Sequence, residues 1–226
     1  MMKKVLSILM AMTMIFSLAA CGQAQSSSTE GTDETASNVN PASTQSNAQE
    51  SSQAKSDDTV KTTEESGKTL VVYFSWSTSG NTEKMATYIQ KQTGGDILRI
   101  EPATPYPTDY NETGELAKVE RDDNVRPEIA NLPASVSEYD TIFVGYPIWW
   151  HTAPMIIGTF LNNYDLTGVE IYPFTQSASM DKEQFNNSID FVKENAKGAN
   201  VHDGLFVEAT DTAGMDEYLV KNGFKK

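Results

Sequence analysis

An open, doubly wound α/β sheet of five parallel strands with helices on both faces is the fold class predicted for residues 69–226. Three observations predict it. Short apolar, β-branched runs alternate with helical runs along the whole stretch. The run Thr141-Ile142-Phe143-Val144-Gly145 is almost continuously apolar, as a central strand buried on both faces requires. The segments that follow the first, third and fourth strands concentrate Ser, Thr, Gly and Trp, which puts recognition chemistry at strand carboxyl ends.

The elements follow in order. Leu70-Val71-Val72-Tyr73-Phe74 reads as the first strand, and the amphipathic run from Glu83 reads as a helix reaching about Gln92. Gly94-Gly95 ends that helix, and residues 96–100 form the second strand. A proline-punctuated loop over 102–110 leads to a polar helix over 112–122. After the third strand, 141–145, a helix is expected over 155–161. Residues 170–174 read as the fourth strand, 181–196 as a helix, 204–207 as the fifth strand and 215–222 as the closing helix. A span of this length suits one domain with one core.

The first 68 residues read differently. Residues 1–20 have the form of an export signal: Lys3 and Lys4 precede an apolar stretch over 5–18 that is short for a membrane span. Leu18-Ala19-Ala20-Cys21 resembles a bacterial lipobox, which implies that Cys21, the single cysteine, is lipidated and becomes the mature N-terminus. No disulfide can form within one such chain. Residues 21–68 are rich in Ser, Thr, Gln and Ala and too poor in large apolar side chains to offset ordering entropy. They read as a disordered tether with a reach of about 35–40 Å. The expected location is extracytoplasmic, with the lipid at Cys21 holding the domain to the cell membrane.

Charge narrows the partners. The chain carries a formal −14, and residues 69–226 hold 12 Lys and Arg against 23 Asp and Glu, or −11. An acidic surface argues against nucleic acid and against direct adhesion to anionic lipid. Two separated histidines and scattered carboxylates give no metal-ligand spacing, so no metal is expected. Neither a Gly-x-Ser-x-Gly elbow nor a Gly-x-x-x-x-Gly-Lys-[Ser/Thr] loop occurs.

Three loops carry the candidate chemistry. Ser75-Trp76-Ser77-Thr78-Ser79-Gly80-Asn81-Thr82 joins the first strand to the first helix. Hydroxyls and Gly at a helix N-terminus can cradle a phosphate through free N–H groups and the helix dipole. An ordinary helix cap is the alternative. The loop after the third strand, Tyr146-Pro147-Ile148-Trp149-Trp150-His151-Thr152-Ala153-Pro154, holds two of the three tryptophans. Such rings offer a stacking face, or else one packs on the core and the other on a neighbouring helix. Thr175-Gln176-Ser177-Ala178-Ser179-Met180 is small and polar and suits the rim of a planar heterocycle. His151 is the candidate catalytic residue, as a proton donor near neutral pH, or an exposed loop residue capping a carbonyl.

Tyr73-Phe74-Ser75, Ser79-Gly80-Asn81-Thr82, Gly145-Tyr146-Pro147-Ile148-Trp149-Trp150 and Thr152-Ala153-Pro154-Met155 resemble the flavodoxin-like proteins, in their exported or quinone-reductase-like branch. The resemblance covers essentially all of 69–226, with Tyr-Pro-Ile-Trp-Trp its most specific part. It implies one non-covalent FMN. The phosphate would lie against Ser75, Ser77, Thr78, Ser79, Gly80, Asn81 and Thr82. The ring would lie between Pro147, Ile148, Trp149, Trp150, His151, Thr152 and Ala153 on one side and Thr175, Gln176, Ser177, Ala178 and Ser179 on the other. Two departures stand out: the phosphate loop carries about two extra residues, and His151 stands where many relatives have Gly. A neutral cradle in an acidic domain leaves the phosphate dianion uncompensated and should lower the reduction potential. The implied role is electron transfer to a protein partner or reduction of a small quinone-like acceptor, with NAD(P)H among the possible donors. The rival is a non-redox ligand-binding lipoprotein that kept the fold without the cofactor.

Overall fold

In the computed structural model, which describes residues 67–225, the chain alternates strands and helices. The elements are β1 (Lys68–Tyr73), α1 (Asn81–Thr93), β2 (Asp96–Arg99), α2 (Tyr110–Asp122), β3 (Tyr139–Pro147), α3 (Met155–Asn162), β4 (Glu170–Gln176), α4 (Lys182–Asn195), β5 (Asn200–Val201), β6 (Leu205–Phe206) and α5 (Thr212–Lys221). Every strand pairing is parallel, in the order β2-β1-β3-β4-β5, with β6 also on β4. This is the doubly wound sheet expected from the sequence. The export signal, the lipidation site at Cys21 and the tether lie outside the described residues.

Alternation along β1 sets the two layers. Leu70 and Val72 face one way, into a core with Ile142 and Val144 of β3, Ile156, Ile157 and Phe160 of α3, and Val192 of α4. Val71 and Tyr73 face the other, with Phe143, Phe174, Met85 and Ile89 of α1, and Met215 and Leu219 of α5. Ile142, Phe143 and Val144 are fully buried, so β3 is the two-faced central strand its composition predicts. Gly145 is held to glycine by close approach: a Cβ there would lie 2.1 Å from Cζ of Phe174 on β4.

Two details depart from the sequence reading. The fifth strand, expected over 204–207, is split into β5 beside Glu170 and Ile171 and β6 beside Phe174 and Thr175. Between them His202 stacks on Tyr172, with ring centroids 4.2 Å apart, and reaches the Glu170 carboxylate through Nε2. The His202 N–H still donates to the Ile171 carbonyl at 2.9 Å, so the ladder is interrupted only beyond it, and His202 has a structural place where the sequence showed only a polar turn. Lys68, counted with the tether, is instead the first residue of β1, and its ammonium pairs with Glu138.

The strand order reverses between β1 and β3, which are neighbours although α1, β2 and α2 separate them in sequence. A doubly wound sheet opens a crevice beyond the carboxyl ends of those strands. The loops after β1 and β3 therefore flank one opening, with the loop after β4 beside them.

Candidate functional site

The segment after β1 folds into a tight turn that delivers α1. Gly80 N–H donates to the Ser77 carbonyl at 3.0 Å, and Ser79 N–H donates to Ser77 Oγ at 3.1 Å. Gly80 sits at φ 61, a left-handed conformation that glycine adopts without cost, and α1 begins at the next residue. No side chain caps α1 or α3, whereas α2, α4 and α5 are each capped by an aspartate: Asp109, Asp181 and Asp211. The amides of the first turn of α1 are thus left without an internal acceptor of that kind, beside the hydroxyls of Ser77, Thr78 and Ser79 at the surface. Ser75 and Thr82 are buried at the base of the turn.

A charged side chain also reaches this turn. Arg99, the last residue of β2, donates from Nη2 to the Ser75 carbonyl at 3.1 Å. Its Nη1 lies 3.4 Å from Glu83 Oε2 in the first turn of α1, and its Nε lies 2.9 Å from Glu101. Arg99 thus brings a cation, flanked by two carboxylates, to the base of this turn, where the sequence reading placed only hydroxyls and amides.

Beyond β3 the rim is a two-residue hairpin. Trp149 N–H donates to the Thr152 carbonyl at 2.9 Å, and Thr152 N–H donates back at 3.0 Å. The two central residues, Trp150 and His151, have φ of 46° and 67°. Both signs match a type I′ turn, whose central positions normally go to Asn and Gly. Side chains in that region cost about 1–3 kcal/mol each, so the turn must be held by its surroundings. It is: Trp150 Nε1 donates to the Gly114 carbonyl of α2 at 2.6 Å, and Arg121 Nη1 donates to the Trp150 carbonyl at 3.0 Å. The Arg121 guanidinium and the Lys118 ammonium lie 5.5 and 6.0 Å from the Trp150 ring.

Trp149 points the other way. Its ring meets Tyr106, Phe74 and Trp76 edge-on, at 5.1, 5.4 and 6.1 Å. One tryptophan on the core and one on a neighbouring helix is the packing alternative raised from the sequence, and it describes this pair. Both rings nonetheless line the crevice. Behind Trp149, the Tyr106 hydroxyl donates to Glu120 Oε2 at 2.9 Å in a buried contact. Burial raises the Glu120 carboxyl above its ordinary range, the hydrogen bond from Tyr106 opposing it, and burial together with the adjoining Glu120 pushes the Tyr106 phenol upward.

The resulting cavity has a volume of about 570 Å³, within the usual range for a cofactor site. Of the residues expected from sequence, Ile148, Trp149, Trp150, His151, Ser177, Ala178 and Ser179 line it. Pro147 and Gln176 pair with each other at the end of the sheet, and Ala153 is buried in the core. Thr175 is buried, and its hydroxyl donates to the Tyr146 carbonyl, so its side chain faces the sheet and not the rim. The His151 imidazole is exposed and makes no hydrogen bond among the described residues, which gives the carbonyl-capping alternative no support.

A whole wall went unread. Tyr110, Asn111, Thr113, Gly114, Glu115 and Ala117 of α2 line the cavity, with Gln184 of α4, beside Trp76, whose Nε1 donates to the Pro107 carbonyl. One trace of it was in the sequence: Gly114 stands inside a helix, where glycine costs about 1 kcal/mol relative to alanine.

Residues 68–222 match the family model described as flavodoxin. A candidate flavoprotein from Bacteroides eggerthii is 34% identical, with a TM-score of 0.60 over 68% of this chain and 96% of that one. A second, from Bacteroides uniformis, is 34% identical, with a TM-score of 0.57 over 66% and 96%. A flavoprotein from Lactobacillus acidophilus, solved in complex with FMN, is 27% identical, with a TM-score of 0.54 over 65% and 97%. No curated protein matches the chain.

Proposed function

The chain belongs to the flavodoxin family, and from that premise we propose that it binds one FMN non-covalently and serves as a membrane-anchored, extracytoplasmic redox protein. The observation that carries this reading is the α1 N-terminus, free of a side-chain cap, set at the same strand ends as a cavity of about 570 Å³ walled by Trp76, Trp149 and Trp150. The residues present fit the cofactor. Ser77, Thr78, Ser79 and the first-turn amides of α1 would hold its phosphate, and the indoles with Ser177 and Ser179 would hold its ring. When bound, the flavin supplies one- or two-electron transfer.

The protein's own residues set the conditions. The Trp149–Thr152 hairpin and α2 would flank a bound ring, and the small loop after β4 would offer it polar groups. His151, exposed at the rim with its ring unengaged among the described residues, is placed to hand a proton to a bound acceptor. The electrons pass to a redox partner protein or to a small quinone-like acceptor. The sequence pattern around Cys21 supports anchoring through lipid.

Absorption spectroscopy of the purified protein, before and after adding FMN and removing the excess, tests the core of the reading. Retention of the two visible bands of oxidised flavin supports it. A spectrum without them, unchanged by FMN, replaces it with a non-redox binding module. Steady-state oxidation of NAD(P)H with a quinone present separates an enzyme from a carrier. For the anchor, Cys21→Ala should move the protein from the membrane fraction to the soluble one.

A further inference from the structure

We propose that Arg99 and Glu83 form a charge pair that sets the preference of this site for a phosphorylated flavin over the uncharged riboflavin. The proposal rests on the FMN reading above and goes on to name the residues that tune it. Glu83 lies in the first turn of α1, and a Cβ placed on Gly80 would be 3.7 Å from its Oε2. A carboxylate is therefore held against the helix end that would receive the phosphate. Left alone, it would repel a dianion and compete for the same positive end of the helix dipole. Arg99 counters it in two ways. Nη1 approaches Glu83 Oε2 at 3.4 Å and offsets its charge, and Nη2 holds the Ser75 carbonyl at the start of the cradle at 3.1 Å.

Nothing else described does this work. Lys84, the other cation near the turn, is exposed, and no ion pair is found for it among the described residues. Glu101, a second carboxylate, takes the Nε edge of Arg99 at 2.9 Å and shares its charge, leaving Nη1 for Glu83 and Nη2 for the Ser75 carbonyl. Arg99 acts through Ser75 and Glu83 and is a positioning residue. Neither residue lines the ring cavity, so the pair should act on the phosphate end of the ligand alone.

The test is titration of the apoprotein with FMN and, separately, with riboflavin, followed by quenching of flavin fluorescence. Arg99→Gln should weaken FMN by about three- to tenfold, the range of one ordinary hydrogen bond lost from the base of the turn, and leave riboflavin within about twofold. Glu83→Gln should tighten FMN by about two- to fourfold, as expected for an exposed charge, with riboflavin unmoved. Arg99→Lys, which keeps the charge but not the fork, should recover part of the FMN affinity. Equal weakening of both flavins in Arg99→Gln, or no change in the ratio of the two affinities in either variant, overturns the proposal while leaving the FMN reading intact. Failure of the unaltered protein to bind either flavin removes the FMN reading and the pair with it.

Discussion

Trp150 and His151 show how much a single rim turn can be asked to hold. Two side chains sit at positive φ where the turn type favours glycine or asparagine, and only the ties to Gly114 and Arg121 compensate. His151→Gly should remove one strained position without touching those ties, raising stability by about 0.5–1 kcal/mol after allowing for the extra entropy of glycine in the unfolded chain. Urea unfolding of the two proteins measures it, and a destabilised variant would mean the imidazole is bonded after all. Glu120 poses a question of pH. A carboxyl raised in the folded state adds stability that is complete below its ordinary range and is lost as pH rises through the raised value. Glu120→Gln keeps an acceptor for Tyr106 and has no charge to bury. The variant should be the more stable protein at pH 7, with the gap closing below about pH 4. A gap independent of pH, seen in thermal melts across that range, would remove burial of the charge as the cause.

Among the elements, β3 and β4 meet where Gly145 faces the Phe174 ring. Gly145→Ala would drive a methyl into that ring and should cost about 1–3 kcal/mol, read as a lower denaturation midpoint with an unchanged slope. The same strands explain what the sequence made legible. Ile142, Phe143 and Val144 are buried from both sides, so their composition alone announced a central strand, and the three site loops followed from the strand ends. The fifth strand was misjudged because each of its pieces is two residues long, too short to leave a period of two. The α2 wall was missed for another reason: Asn111 and Glu115 reach the cavity through the crossover of the chain, and local pattern holds no record of that. Arg99 reads in sequence as one more exposed strand residue, and only its pairing opposite Tyr73 brings it to Ser75.

At the scale of the whole molecule, the −11 of residues 69–226 surrounds a cavity that Glu115 lines and that, among the described residues, no Lys or Arg lines, Lys118 and Arg121 standing beside it at the Trp150 ring. Such a field slows the approach of anions. The reduced, flavin-loaded protein should therefore pass electrons to an uncharged quinone faster than to a sulfonated one of similar potential. Stopped-flow mixing at rising salt should close the gap as the Debye length falls to about 8 Å near physiological ionic strength. Equal rates at low salt would show that the field does not reach the acceptor. The split fifth strand has a consequence of a different kind. An uninterrupted outer strand is a template on which a second chain can extend the ladder. Here one border of the sheet is four residues long and the other is cut into two dipeptides. Among the described residues neither border offers a long run of free amides and carbonyls, so an intermolecular β-stack on this sheet should be poorly seeded.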